Sequence, residues 1–74
     1  MTNGEVRSPL AGTVSAVLVE FGKEVARGEE LVTLESTIRT IIPVTAPMGG
    51  MVAQVDVKRG DRVNAGDLLV MLST

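Results

Sequence analysis

The chain contains no cysteine and no histidine, and Phe21 is its one aromatic residue. Without cysteine there is no disulfide, no thiolate nucleophile and no zinc–thiolate site. Without histidine the usual general base and the commonest metal ligand are missing. One aromatic side chain cannot build the stacking platforms that bind single-stranded nucleic acid. A net charge of −2, from seven Lys and Arg against nine Asp and Glu, does not suit a phosphate-tracking surface. The first residues, MTNGEVRSPLAG, hold no apolar signal segment. No later apolar run approaches the roughly 18 residues of a membrane span. These absences predict a cytoplasmic protein, or a domain of a larger one, with no nucleic-acid or membrane partner and no active site of its own.

What the chain has instead is a repeat. Residues 8–36, SPLAGTVSAVLVEFGKEVARGEELVTLES, align without a gap on residues 46–74, APMGGMVAQVDVKRGDRVNAGDLLVMLST, at an offset of 38. The apolar residues are mostly Val and alternate, as at Val17 and Val19 or Val55 and Val57, which indicates half-buried strands. Gly12, Gly22 and Gly28 are matched by Gly50, Gly60 and Gly66. Each is expected to supply a turn conformation that other residues resist. The pattern predicts strands near 4–7, 12–20, 30–35, 40–45, 50–58 and 67–73, with short extended pieces near 24–26 and 62–64.

One copy is too small to bury its apolar face, because ordering costs about 1.5 kcal/mol per residue. Two copies packed face to face supply the missing layer. The predicted fold is all-β: a single domain over residues 1–74, built as a small flattened barrel or sandwich with quasi-twofold symmetry. The unmatched segment, residues 36–45, must leave one sheet and enter the other. It is therefore expected to form a hairpin near the symmetry axis, with Ser36, Thr37, Ile38, Arg39 and Thr40 at an exposed tip. Exposed tips on rigid scaffolds are where function is often placed.

The stretches SPLAG, LES, TAP and VKRGDRVNAGDLL, at their spacing in this chain, resemble the biotin/lipoyl attachment domain, the swinging-arm carrier of carboxylases, decarboxylases and 2-oxo acid dehydrogenases. The resemblance covers residues 5–73 and leans to the biotinyl branch rather than the lipoyl one. It implies the hammerhead fold, two four-stranded antiparallel sheets about a quasi-twofold axis. It also implies a biotin ligase as partner, together with carboxylase, decarboxylase or carboxyltransferase subunits, and a lysine at the hairpin tip that receives the cofactor. In the biotinyl pattern that lysine lies three residues after the glutamate that precedes the tip. Three after Glu35 is Ile38, whereas seven before Ala46 is Arg39. The tip is one residue longer than the pattern, and neither position is lysine.

Arg39 keeps a positive charge but offers no free amine, because guanidinium stays protonated. Lys23 and Lys58, the only lysines, fall in turn regions outside the hairpin. No cofactor is therefore expected on this chain. Two readings stay open: a biotinyl carrier domain whose tip has been altered, or an unmodified lipoyl-like structural or interaction module. Other residues point less clearly. Glu24, Glu29, Glu30 and Glu35 read as a solvated acidic face rather than an acid/base pair. Thr37, Ile38 and Ile41 could form a partner-binding knob, although Ile41 also suits a strand entering the core. Met48 and Met51 read as gap-filling or turn-flanking residues.

Overall fold

The computed structural model describes residues 4–74. Its strands are β1 (Glu5–Arg7), β2 (Gly12–Val17), β3 (Glu24–Val25), β4 (Glu30–Ser36), β5 (Ile41–Thr45), β6 (Gly50–Val55), β7 (Arg62–Val63) and β8 (Leu68–Ser73). They form two four-stranded antiparallel sheets in the orders β1-β8-β6-β3 and β5-β4-β2-β7. Adding four to each strand number, counted cyclically, turns one order into the other. Each sheet is thus made of strands from both halves, so neither half can fold without its twin.

The symmetry reaches single hydrogen bonds. The Gly28 N–H donates to the Ala46 carbonyl, and the Gly66 N–H donates to the Ser8 carbonyl, both at 2.8 Å. The β2–β4 register shifts between Val14 and Ala16, and the β6–β8 register shifts at their twins, Val52 and Gln54. Core positions also match in pairs: Val14 with Val52, Val25 with Val63, Leu31 with Leu69, Leu34 with Leu72, all buried. Burial of both members of each pair is what joins the two layers.

The strands from β2 and β6 stop at Val17 and Val55, earlier than the predicted 20 and 58, because the chain turns there to reach β3 and β7. Gly22, Gly28, Gly60 and Gly66 have φ between 88° and 94°, the positive values their turns require. Gly12 and Gly50 correct the sequence expectation. They lie inside strands without positive φ, and a Cβ on either would run into the carbonyl oxygen of Glu35 or of Ser73. Close backbone approach, not turn conformation, requires glycine there.

The sheet edges are blunted against pairing with other chains. On β5, Pro43 has no N–H to offer, and on β1, Arg7 and Glu5 form an ion pair at 3.0 Å. Among the described residues no helix is long and apolar enough to cross a membrane.

Candidate functional site

β4 and β5 form a hairpin within one sheet, paired from Glu30 with Thr45 to Glu35 with Ile41. The unmatched segment therefore does not cross between the sheets as the sequence predicted; the chain crosses after β5 instead, on its way to β6. Thr37, Ile38, Arg39 and Thr40 connect them, after Ser36 at the end of β4. The Arg39 N–H donates to the Ser36 carbonyl at 2.9 Å, which closes a four-residue turn. The Ser36 N–H then donates to the Thr40 carbonyl at 2.9 Å, and the Thr40 N–H to Ser36 Oγ at 3.1 Å. Arg39 sits at φ 67°, the one non-glycine residue with positive φ among those described. A turn followed by a left-handed residue is the usual way to close a three-residue hairpin loop. That left-handed residue takes up the loop's third position.

Thr37, Ile38, Arg39 and Thr40 are all exposed, Ile38 to 81%. Ile41, assigned by sequence either to the core or to a knob, faces out with 54% of its surface accessible. The tip therefore presents two β-branched apolar side chains and one guanidinium on a backbone fixed by three hydrogen bonds.

At the base of the tip lies an open groove lined by Thr13, Glu35, Thr37, Arg62 and Asn64, among others. Arg62 and Asn64 arrive there because β7 pairs with the start of β2, and that start also faces Ser36. Nothing local in the sequence marks these two residues; only the strand order brings them in.

The acidic residues do not assemble into a site. Among the described residues no group of three or more His, Cys, Asp or Glu could hold a metal ion. Glu29 accepts the Ala26 N–H at 3.1 Å and pairs with Lys23 at 3.2 Å. The backbone donor, then the lysine, hold its carboxyl below the usual carboxylate range. It is a turn clamp. Lys23 is occupied in that clamp, and Lys58 lies in the turn between β6 and β7, so neither is in the hairpin. Met48 packs against the core, whereas Met51 is 47% exposed on β6 and fills no gap.

The family model for biotin/lipoyl domains, described as "Biotin-requiring enzyme", matches residues 4–72. The chain is 39% identical over 93% of its length to a biotinylated protein TB7.3 homolog of Mycobacterium leprae, covering 96% of that protein. It is 41% identical to a biotin/lipoyl attachment protein of Bacillus subtilis, over 86% of each chain. In the crystal structure of Kluyveromyces lactis urea carboxylase, a segment amounting to 6% of that chain matches 92% of this one with a TM-score of 0.85 and 28% identity.

Proposed function

Because the chain belongs to the biotin/lipoyl attachment family, we propose that it is a carrier-type domain, not an enzyme, whose hairpin tip no longer accepts the cofactor. The observation that carries this reading is the tip itself. Between Glu35 and Ala46 there is no lysine, and Arg39, held in the left-handed conformation, is the only cation.

Attachment requires an amine that can lose its proton and attack an activated carboxyl group. An arginine guanidinium does neither at physiological pH. The residues present at the tip therefore do not fit biotin or lipoate as a covalent group, although the scaffold around them is the one that presents such a group in the family. Ile38 and Arg39 stand at the altered attachment position, flanked by Ser36, Thr37 and Thr40.

On this reading the partners are those of a carrier domain, namely carboxylase, decarboxylase or carboxyltransferase subunits in the cytoplasm. The chain would meet them through its surface rather than through a travelling arm. The second reading, an interaction module that never carried a cofactor, is favoured by one observation, the 81% exposure of Ile38 at the tip.

Co-expression with a biotin ligase followed by intact-mass measurement tests the proposal. The bare chain mass is the expected result. A mass increased by one biotinyl group would overturn it, and peptide mapping would identify the acceptor.

A further inference from the structure

The repeat gives this molecule an internal control. The β2–β3 turn and the β6–β7 turn have the same backbone. The Lys23 N–H donates to the Glu20 carbonyl at 3.1 Å, and the Asp61 N–H to the Lys58 carbonyl at 3.1 Å. Gly22 and Gly60 have φ of 92° and 94°. Each turn docks on the opposite half through its glycine, Gly22 on Val52 and Gly60 on Val14, both at 2.8 Å.

The side chains on these two equal frames differ in kind. The first turn and the strand it docks on expose Leu18, Phe21 and Met51, at 48%, 76% and 47%. Their twins, at the 38-residue offset, are Asp56, Arg59 and Thr13. The backbone is therefore built equally well with charged or polar residues at all three positions. Buried pairs show the opposite rule, since the core twins are apolar in both halves except at Ala46, whose buried twin is Ser8. Folding accounts for apolar residues at the core positions and does not account for them here.

Phe21 and Met51 lie close together, and Leu18 precedes Phe21 by three residues in the same β2–β3 connection. Phe21 neighbours Gly22, which is bonded to Val52, and Met51 adjoins Val52 on β6, directly across from Glu24. Glu20 and Glu24 flank Phe21 without a cation partner among the described residues, while Lys23 is held by Glu29. The twins of Glu20 and Glu24 are Lys58 and Arg62, so the two turns carry opposite charge.

We infer that Leu18, Phe21 and Met51 form a docking surface for a protein partner that offers an apolar pocket with a basic rim. The partner's Lys or Arg side chains would meet Glu20 and Glu24, and its pocket would take Phe21. Acidic flanks disfavour an anionic membrane as occupant. A second copy of the chain is also a poor fit: its basic turn matches the charge but exposes Asp56, Lys58, Arg59 and Arg62, and the hollow beside it is mainly polar, with Asp56, Asp61, Arg62 and Asp67 in its lining. Such a head-to-tail contact would also build a ring or a filament rather than a two-fold dimer.

The test uses the symmetry. The triple variant Leu18→Asp, Phe21→Arg, Met51→Thr gives this turn the residues its twin already carries on the same backbone. A phage-displayed library of a small folded domain with a randomised concave face is selected on the parent chain, and the enriched domains are expressed and titrated against both proteins. Enrichment of domains whose randomised face combines apolar residues with Lys or Arg is expected, with binding about tenfold or more weaker to the triple variant. The variant's Tm should fall by less than about 8 °C. No enrichment, or domains that bind both proteins equally, would overturn the proposal. A larger fall in Tm would mean that the three residues hold the fold, and would overturn it too. Sedimentation that shows self-association of the parent, abolished in the variant, would make a second copy the occupant and replace the proposed partner.

Discussion

The backbone N–H of Gly22 donates to the carbonyl of Val52, so the turn of the first half is anchored on a core strand of the second. Gly60 repeats the contact on Val14. At both glycines an added Cβ would meet nothing within 4 Å, so the backbone angle alone decides what a substitution costs. Left-handed backbone costs residues with a Cβ about 1–2 kcal/mol. Gly22→Ala and Gly60→Ala are each expected to destabilise by about that amount, and by similar amounts to one another, in urea titrations. A parent-like midpoint for either variant would contradict the turn geometry.

Gly12→Ala and Gly50→Ala should cost more, for a different reason. There the obstacle is a carbonyl oxygen of the neighbouring strand, Glu35 or Ser73, and backbone cannot move aside as a flexible side chain would. Overpacking of this kind costs about 1–3 kcal/mol or more. Gly49→Ala is the comparison, since its nearest neighbour would be the Val25 carbonyl oxygen at an ordinary 3.6 Å. Thermal melts should rank Gly49→Ala well above both strand variants.

These glycines mark where sequence reading stops. An ungapped repeat reveals that two equal units share one core, and alternating Val reveals strands, so the architecture was legible. The six matched glycines looked alike in sequence, yet four serve turns and two serve strand contact, a difference that exists only once strands are adjacent. The hairpin was legible as the one unmatched segment. Its conformation was not, because Arg39 occupies a left-handed position that sequence normally signals with Gly or Asn. Nor did Phe21 stand out before its exposure and that of its charged twin could be compared.

Arg39 should accordingly be improvable. Replacing it with Gly or Asn removes the left-handed penalty while keeping the loop length, so stability is expected to rise by a few tenths to about 1 kcal/mol. Denaturant midpoints of Arg39→Gly and Arg39→Asn against the parent check this. A loss of stability in both would mean that the guanidinium contributes more than the backbone angle costs.

Glu29 gives a pH signature of known sign. Its carboxyl is held below the usual range by the Ala26 N–H and by Lys23, so it binds its proton less readily folded than unfolded. Its contribution is full above the ordinary carboxylate range and is lost as pH falls through the lower folded value. Glu29→Gln should thus be less stable than the parent at neutral pH. The gap should close below the ordinary carboxylate range. Urea titrations across pH 7 to 2 would reveal a constant gap if the clamp has no electrostatic part.

The tip offers the last expectation, which concerns loop length as much as chemistry. Replacing Thr37-Ile38-Arg39 with Met-Lys removes the residue that forces the left-handed closure and leaves a two-residue hairpin loop, the commonest kind. It also sets a lysine three residues after Glu35 and, in the shortened chain, at the family's distance before Ala46. This variant is expected to become a substrate for biotin ligase with the fold intact. Arg39→Lys supplies an amine but keeps the longer loop, so its amine leaves the tip from a left-handed residue. Reaction needs the nucleophile held within about 3–3.5 Å of the activated carbonyl, and a shift of the tip by one residue is large on that scale. Arg39→Lys should therefore be modified more slowly. A time course of biotin incorporation for the parent, Arg39→Lys and the shortened tip separates the possibilities. A folded shortened tip that stays unmodified would count against the biotinyl reading, whereas equal rates for the two variants would remove only the role given to loop length.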